Sequence, residues 1–200
     1  TYGWHLLTTK DLIHYESETA IGILGGTGCI IKVEGLYHLY YCVFEDQPQR
    51  QYVCHATSTD LTNWTKYPDE TFGPDESIYL LTDWRDPHVI WNEEEKCWWM
   101  ILCAQNQGNT KRRGCVGLCK SGDLHHWTCC EPLYAPQSSM SAYECPDLFY
   151  MNGWWYLVFS QFTDRFQTLY RMSRSCNGPW IRPKTDSFDG RAFYAAKTCS

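Results

Sequence analysis

No stretch of this chain approaches the roughly eighteen consecutive apolar residues of a membrane-spanning helix, and Thr1 opens without the charged and apolar regions of a signal peptide. Basic clusters are also missing. The net charge is −6, and the only run of positive residues is KRR at 111–113, inside the polar stretch NQGNTKRRG, which reads as a solvated hairpin loop. A nucleic-acid surface needs a concentrated positive footprint, so neither nucleic acid nor a membrane is an expected partner. There is no paired C-x-x-C, no Gly-x-Ser-x-Gly, no Walker loop and no dinucleotide fingerprint. The histidines at 5, 14, 38, 55, 88, 125 and 126 show no convergent metal spacing and read as structural or exposed, so neither a metal nor a cofactor is expected. Sustained helical periodicity is absent as well.

Cysteine and aromatic residues are what the chain has in quantity. Of twelve cysteines, Cys29, Cys42, Cys54, Cys97, Cys103, Cys115 and Cys119 fall inside apolar strand patterns, where a thiol behaves as a small hydrophobe. A chain of 200 residues with 44% hydrophobic content builds a core without disulfide staples. The cysteines therefore point to a reducing, cytoplasmic setting rather than a disulfide scaffold. Asn63-Trp64-Thr65 matches a glycosylation sequon, a pattern short enough to arise by chance. The EEE at 93–95 reads as a turn between strands.

The chain also repeats itself. TTKDLIHYE (8–16), TSTDLTNWTKYP (57–68) and KSGDLHHWTCCEPL (120–133) share a small polar residue, then Asp-Leu, then an aromatic four places after the Asp; MSRSCNGPWIRP (172–183) is a looser fourth copy. Two further series run in phase with it: YHLYYC from 37, WWMILC from 98 and WYLVFS from 155, each preceded by GCIIKVEG from 28, DPHVIWNE from 86 and CPDLFYMNG from 145. Four short strands per unit is the pattern of a β-propeller blade. The expected fold is all-β, a single propeller domain with blades at about 1–24 (partial), 25–83, 84–142, 143–187 and 188–200 (partial). About three blades are complete, and the chain reads as cut at both ends.

In a propeller the first strand of every blade lines the central channel, so residues at its start collect near the axis. Pro87 and Pro146 are equivalent, which puts Arg85-Asp86 and Glu144-Cys145 at the same place in successive blades. Thr27-Gly28 opens the preceding inner strand, and Asp189 lies just before the next. Carboxylates with an arginine in an aromatic-rimmed hollow suit a sugar: acids move protons, the Arg-Asp pair holds hydroxyls, and ring faces take C–H groups.

WRDP, ECPDLF, DGRAFYAAKT (189–198) and the repeated S/T-x-DL turn together resemble glycoside hydrolase family 32, the five-bladed enzymes acting on β-fructofuranosides such as sucrose, inulin and levan. The resemblance implies Glu144 as general acid/base and Asp86 as the carboxylate that binds fructosyl hydroxyls and stabilises the transition state. Arg85 stands beside Asp86, and Asp189 approaches the same subsite. Thr27 and Cys145 join the expected substrate-binding set, Thr27 standing where the family has a serine. The family's nucleophilic aspartate, in a motif such as NDPNG, does not occur here and is expected upstream of Thr1. Two other readings stay open: a non-catalytic carbohydrate-binding propeller, and an arabinan- or xylan-acting relative.

Overall fold

A computed structural model describes residues 3–108, 110–163, 166–188, 190 and 192–198. Its thirteen strands form four antiparallel sheets. The first pairs β1 (Gly3–Thr9) with β2 (Tyr15–Leu24). The second runs β3 (Gly28–Val33), β4 (Leu36–Asp46), β5 (Gln49–Ser58) and β6 (Thr65–Lys66). In the third come β7 (Tyr79–Asn92), β8 (Cys97–Asn106), β9 (Gly114–Ser121) and β10 (Thr128–Tyr134), and in the fourth β11 (Tyr143–Met151), β12 (Trp154–Gln161) and β13 (Gln167–Ser173). The only helical element among the described residues is a 3-10 turn at Pro68–Glu70.

The repeated sequence motif is a repeated turn. Thr9, Ser58 and Ser121 each accept, on the hydroxyl, the N–H of the Leu that follows the Asp, at 3.0, 2.9 and 2.9 Å. Oδ1 of Asp11, Asp60 and Asp123 accepts the N–H three places on, at 2.7, 2.8 and 2.8 Å. The His14 ring and then its N–H at Asp11, and first the N–H groups of Asn63 and His126 at Asp60 and Asp123, hold all three carboxyls well below the usual carboxylate range. The Leu in each copy is left-handed, with φ of 61°, 66° and 68°, so side-chain bonding has replaced the ladder as the partner of the backbone.

Consecutive sheets stack through apolar faces. Ile21 and Ile23 meet Leu39, Tyr41 and Ala56. Tyr40 and Val53 meet Trp84, Val89, Met100 and Leu102. Trp99, Ile101 and Leu118 meet Tyr143, Leu148, Leu157 and Phe159. Period-two alternation makes this possible: β8 sends Met100 and Leu102 to one neighbour and Trp99 and Ile101 to the other. Gly28 is required where β3 begins, because a Cβ there would lie 1.8 Å from the Tyr40 carbonyl oxygen.

Three boundaries differ from the sequence reading. The strand expected to open at residue 84 begins at Tyr79, which pairs with Asn106 before an irregular stretch ends at Trp84. The fourth sheet has three strands rather than four; Ile181 and Ser187 touch it only through isolated bridges to Met172 and Leu169. Pro179 and Pro183 flank Ile181 and remove the N–H groups a continuous strand would donate. Residues 192–198, read as an opening strand, carry no strand and instead run over the head of the fourth sheet, where Ala195 N donates to Ser160 Oγ at 2.7 Å.

Candidate active site

β7 and β11 carry the same irregularity at the same place. Arg85 pairs with Cys103 and His88 with Ile101, so two residues, Asp86 and Pro87, oppose one on β8. Glu144 pairs with Ser160 and Asp147 with Val158, so Cys145 and Pro146 oppose one on β12. Each is a β-bulge, and the proline sits where no donor is needed. The residue before each proline is left-handed, Asp86 at φ 56° and Cys145 at φ 48°. For a non-glycine residue this is a strained conformation, of the kind that surrounding contacts must hold in place.

Those contacts run between the two bulges. Arg85 Nη2 donates to Glu144 Oε1 at 2.6 Å. Asp86 Oδ2 accepts the backbone N–H of Cys145 at 2.9 Å. His88 Nε2 lies 3.1 Å from Asp147 Oδ1. Arg85 also reaches Asp83 Oδ1 at 2.5 Å and Gln51 Oε1 at 3.3 Å, and Gln51 accepts the Trp84 N–H at 2.9 Å. Gln105 Nε2 holds the other Asp83 oxygen at 2.7 Å.

The second oxygen of Glu144 accepts the Tyr194 hydroxyl. Burial, and then the Glu144 carboxylate it donates to, push the Tyr194 phenol above its usual range, so it stays a donor. The same returning segment places Lys197 Nζ on the Pro146 carbonyl at 2.6 Å. Thr198 donates to Asp147 Oδ2 through N at 2.6 Å and Oγ1 at 3.0 Å. Burial lowers His88 to about 4, against the pull of Asp147, so its imidazole is neutral near pH 7.

Of the expected residues, Arg85, Asp86, Glu144 and Cys145 are thus brought together. Cys145 acts through its main chain; burial and then the Asp86 charge push its thiol up to about 12. Thr27 is exposed at the head of β3 and lines an open hollow of about 530 Å³ with Trp4, His5 and Phe44, a lining that includes none of Arg85, Asp86 and Glu144. Asp189 lies outside the described residues. Asp83, Gln51, Tyr194 and Thr198 were not singled out from sequence. Asp83 stands two residues before Arg85 on the same strand, which was a usable signal; Gln51 comes from β5, and Tyr194 and Thr198 from the segment that follows the fourth sheet.

Histidines whose spacing along the chain shows no metal pattern nevertheless gather elsewhere in the molecule. His38, His55 and His125 gather with Glu70, the last two within hydrogen-bond reach of its carboxylate. They come from β4, β5 and the β9–β10 turn, so no spacing along the chain announces them.

Comparison with known proteins adds to this geometry. The model for the glycosyl hydrolases family 32 N-terminal domain matches residues 1–200. The sucrose-6-phosphate hydrolase of Escherichia coli is 30% identical over 174 residues, covering 78% of this chain and 34% of that protein. A levanbiose-producing levanase of Geobacillus stearothermophilus is 28% identical over 160 residues, covering 77% and 34%. The chain therefore spans about a third of the length of the curated relatives it matches. Among solved structures, the GH32 beta-fructofuranosidase of Bombyx mori superposes with a TM-score of 0.67 at 23% identity, over 86% of this chain and 39% of that one. A xylan beta-1,4-xylosidase from Bacillus Halodurans C-125 gives 0.66 at 16% identity, over 90% and 37%. At those identities the likeness is one of fold, the five-bladed β-propeller of these glycosidases.

Proposed function

Because this chain belongs to glycosyl hydrolase family 32, we propose that it carries the acid/base side of a site hydrolysing β-fructofuranosides such as sucrose or levan. The observation that carries the reading is the pairing of Glu144 with Arg85 and Tyr194 across two equivalent bulges. Glu144 is held from both oxygens by donors, about a quarter exposed, and so positioned to exchange a proton with a bound glycosidic oxygen. Asp86 is almost fully buried and fastened through one oxygen to Cys145 N, which suits it to grip sugar hydroxyls with the other rather than to attack.

The reaction assigned is retaining. A nucleophilic aspartate, supplied from outside these residues, attacks C2 of the fructosyl unit while Glu144 protonates the departing oxygen; Glu144 then takes a proton from the water that attacks C2 and releases the aspartate. The two carboxyl groups of such a pair stand roughly 5–5.5 Å apart. Arg85 and Tyr194 would keep the Glu144 carboxylate aimed through both steps.

Fructose release from sucrose and levan by the intact protein and its Glu144→Gln variant tests this. Loss of the acid/base is expected to lower kcat on sucrose by about 10²–10⁴-fold. The loss should be smaller on a fructoside with a good leaving group, which departs with little protonation. Full activity in the variant would end the assignment. Sugar binding without product in the unaltered protein would favour a non-catalytic propeller.

A further inference from the structure

His38 on β4, His55 on β5, Glu70 at the end of the 3-10 turn and His125 in the β9–β10 turn form a cluster with no part in the Arg85–Glu144 site. Glu70 stands between two imidazoles: Oε2 is 2.5 Å from His55 Nδ1, and Oε1 is 2.8 Å from His125 Nδ1. His55 Nε2 is 3.0 Å from His38 Nδ1. One nitrogen each of His55 and His125 and one Glu70 oxygen all lie within 4.8 Å of one another.

The elements that carry the ligands are fixed in place. The His55 ring stacks on Tyr40 at 4.6 Å and on Tyr67 at 5.1 Å. The 3-10 turn carrying Glu70 is pinned to β5 by Tyr67 N donating to the His55 carbonyl at 3.0 Å. His125 sits in a copy of the Asp-Leu turn, its N–H on Asp123 Oδ1 at 2.9 Å, and Tyr40 OH locks that turn by donating to the Leu124 carbonyl at 2.6 Å. Of the three Asp-Leu copies with an Asp, only this one has histidine two places after the Asp; the others have Ile13 and Thr62.

We propose that His55, Glu70 and His125 form a divalent-metal site of the zinc class that ties the sheet β3–β6 to the sheet β7–β10. Two imidazoles and a carboxylate are a three-ligand set that zinc completes with water, and nitrogen donors select against magnesium and calcium. The ion binds the two Nδ1 atoms that now face Glu70, each neutral imidazole then carrying its one ring proton on Nε2. His55 Nε2–H then donates to His38, the outer partner that metal-bound imidazoles ordinarily have. Donor edges of a tetrahedron with bonds of 2.0–2.1 Å are about 3.4 Å. His125, the most exposed ligand at 34%, is the one able to swing inward. A cleft of about 210 Å³ beside Glu70, Thr71, His125 and Trp127 gives the fourth position access to water.

The test is zinc uptake by the intact, reduced protein in equilibrium dialysis, with thermal melting and the visible spectrum of the cobalt(II) form. One zinc per chain and a raised Tm are expected, with a cobalt spectrum free of thiolate charge-transfer absorption. Glu70→Gln and His125→Ala should each weaken zinc at least tenfold and abolish the rise in Tm. His126→Ala, at the exposed neighbour outside the set, should bind like the unaltered protein. Absence of bound zinc overturns the proposal. So does undiminished binding in Glu70→Gln and His125→Ala, or thiolate absorption in the cobalt form, which would place the ion on the cysteines.

Discussion

Residues 84–88 and 143–147 are two versions of one strand opening, Trp-Arg-Asp-Pro-His and Tyr-Glu-Cys-Pro-Asp. Both bulge over the same two positions and both turn left-handed before proline. They also meet register for register: Arg85 with Glu144, Asp86 with Cys145 N, His88 with Asp147, every pair 59 residues apart. What differs is the sign at each place. One copy supplies the cation, the acceptor and the imidazole, and the other supplies the carboxylate, the backbone donor and the buried acid. Repetition fixes where these side chains stand; their complementarity makes two neighbouring copies into one site.

Removing the cation should break this arrangement hardest. Arg85→Met leaves Asp83 and Glu144 as uncompensated carboxylates, and a loss of about 3 kcal/mol in urea unfolding is expected, since stripping one partner from a largely buried pair strands the other. A variant as stable as the parent would mean that the pair is solvated and the bulges are held by something else. The two left-handed positions give a sharper contrast. Asp86→Gly keeps the backbone at ease but deprives Cys145 N–H of its acceptor, for about 1–3 kcal/mol. Cys145→Gly relieves the strain of a side chain at positive φ while losing a small buried thiol, and should stay within about 1 kcal/mol of the parent. Equal changes at the two sites would show that the bond from Cys145 N–H to Asp86 adds nothing measurable to the strain relieved at both.

The smallest effect concerns His88 and Asp147. His88 titrates at about 4 when folded and near 6.5 when unfolded, so stability is lost as pH falls through that window, because the unfolded chain takes up a proton that the folded one does not. Lys197, which also lowers His88, and Asp147, which raises it, face the ring. His88→Gln should flatten the stability-against-pH slope between about pH 6.5 and 4 by up to one proton. An unchanged slope would assign the acid sensitivity to other groups.

Much of the fold could be read from the chain because its local chemistry is repeated. The Asp-Leu turns were visible as words and are built by bonds among adjacent residues. The twin prolines aligned the two strand openings, and with them Arg85, Asp86 and Glu144, though not the bulges they sit in. What was not legible depends on partners distant in sequence. The start of β7 at Tyr79 is set by pairing to Asn106, and the incomplete fourth sheet by prolines whose effect appears only once a neighbour needs their N–H. Tyr194 and Thr198 reach Glu144 and Asp147 from about fifty residues away. The Glu70 cluster draws on four elements, two strands and two turns, brought together by strand register and sheet packing.

That cluster occupies positions that recur in the next sheet with different side chains. The cross-strand pair Tyr40 and His55 corresponds to Ile101 and Leu118, and His38, two residues before Tyr40, corresponds to Trp99. At the junction of the third and fourth sheets these places are filled with hydrocarbon and indole, so closing that junction carries the large heat-capacity change of buried apolar surface and answers to temperature. At the junction of the second and third sheets the same places hold imidazoles around a carboxylate, whose grip depends on protons and dissolved ions. At these equivalent places the two seams therefore respond to different variables, although the seam of the third and fourth sheets also carries the Arg85–Glu144 and His88–Asp147 contacts elsewhere along its length.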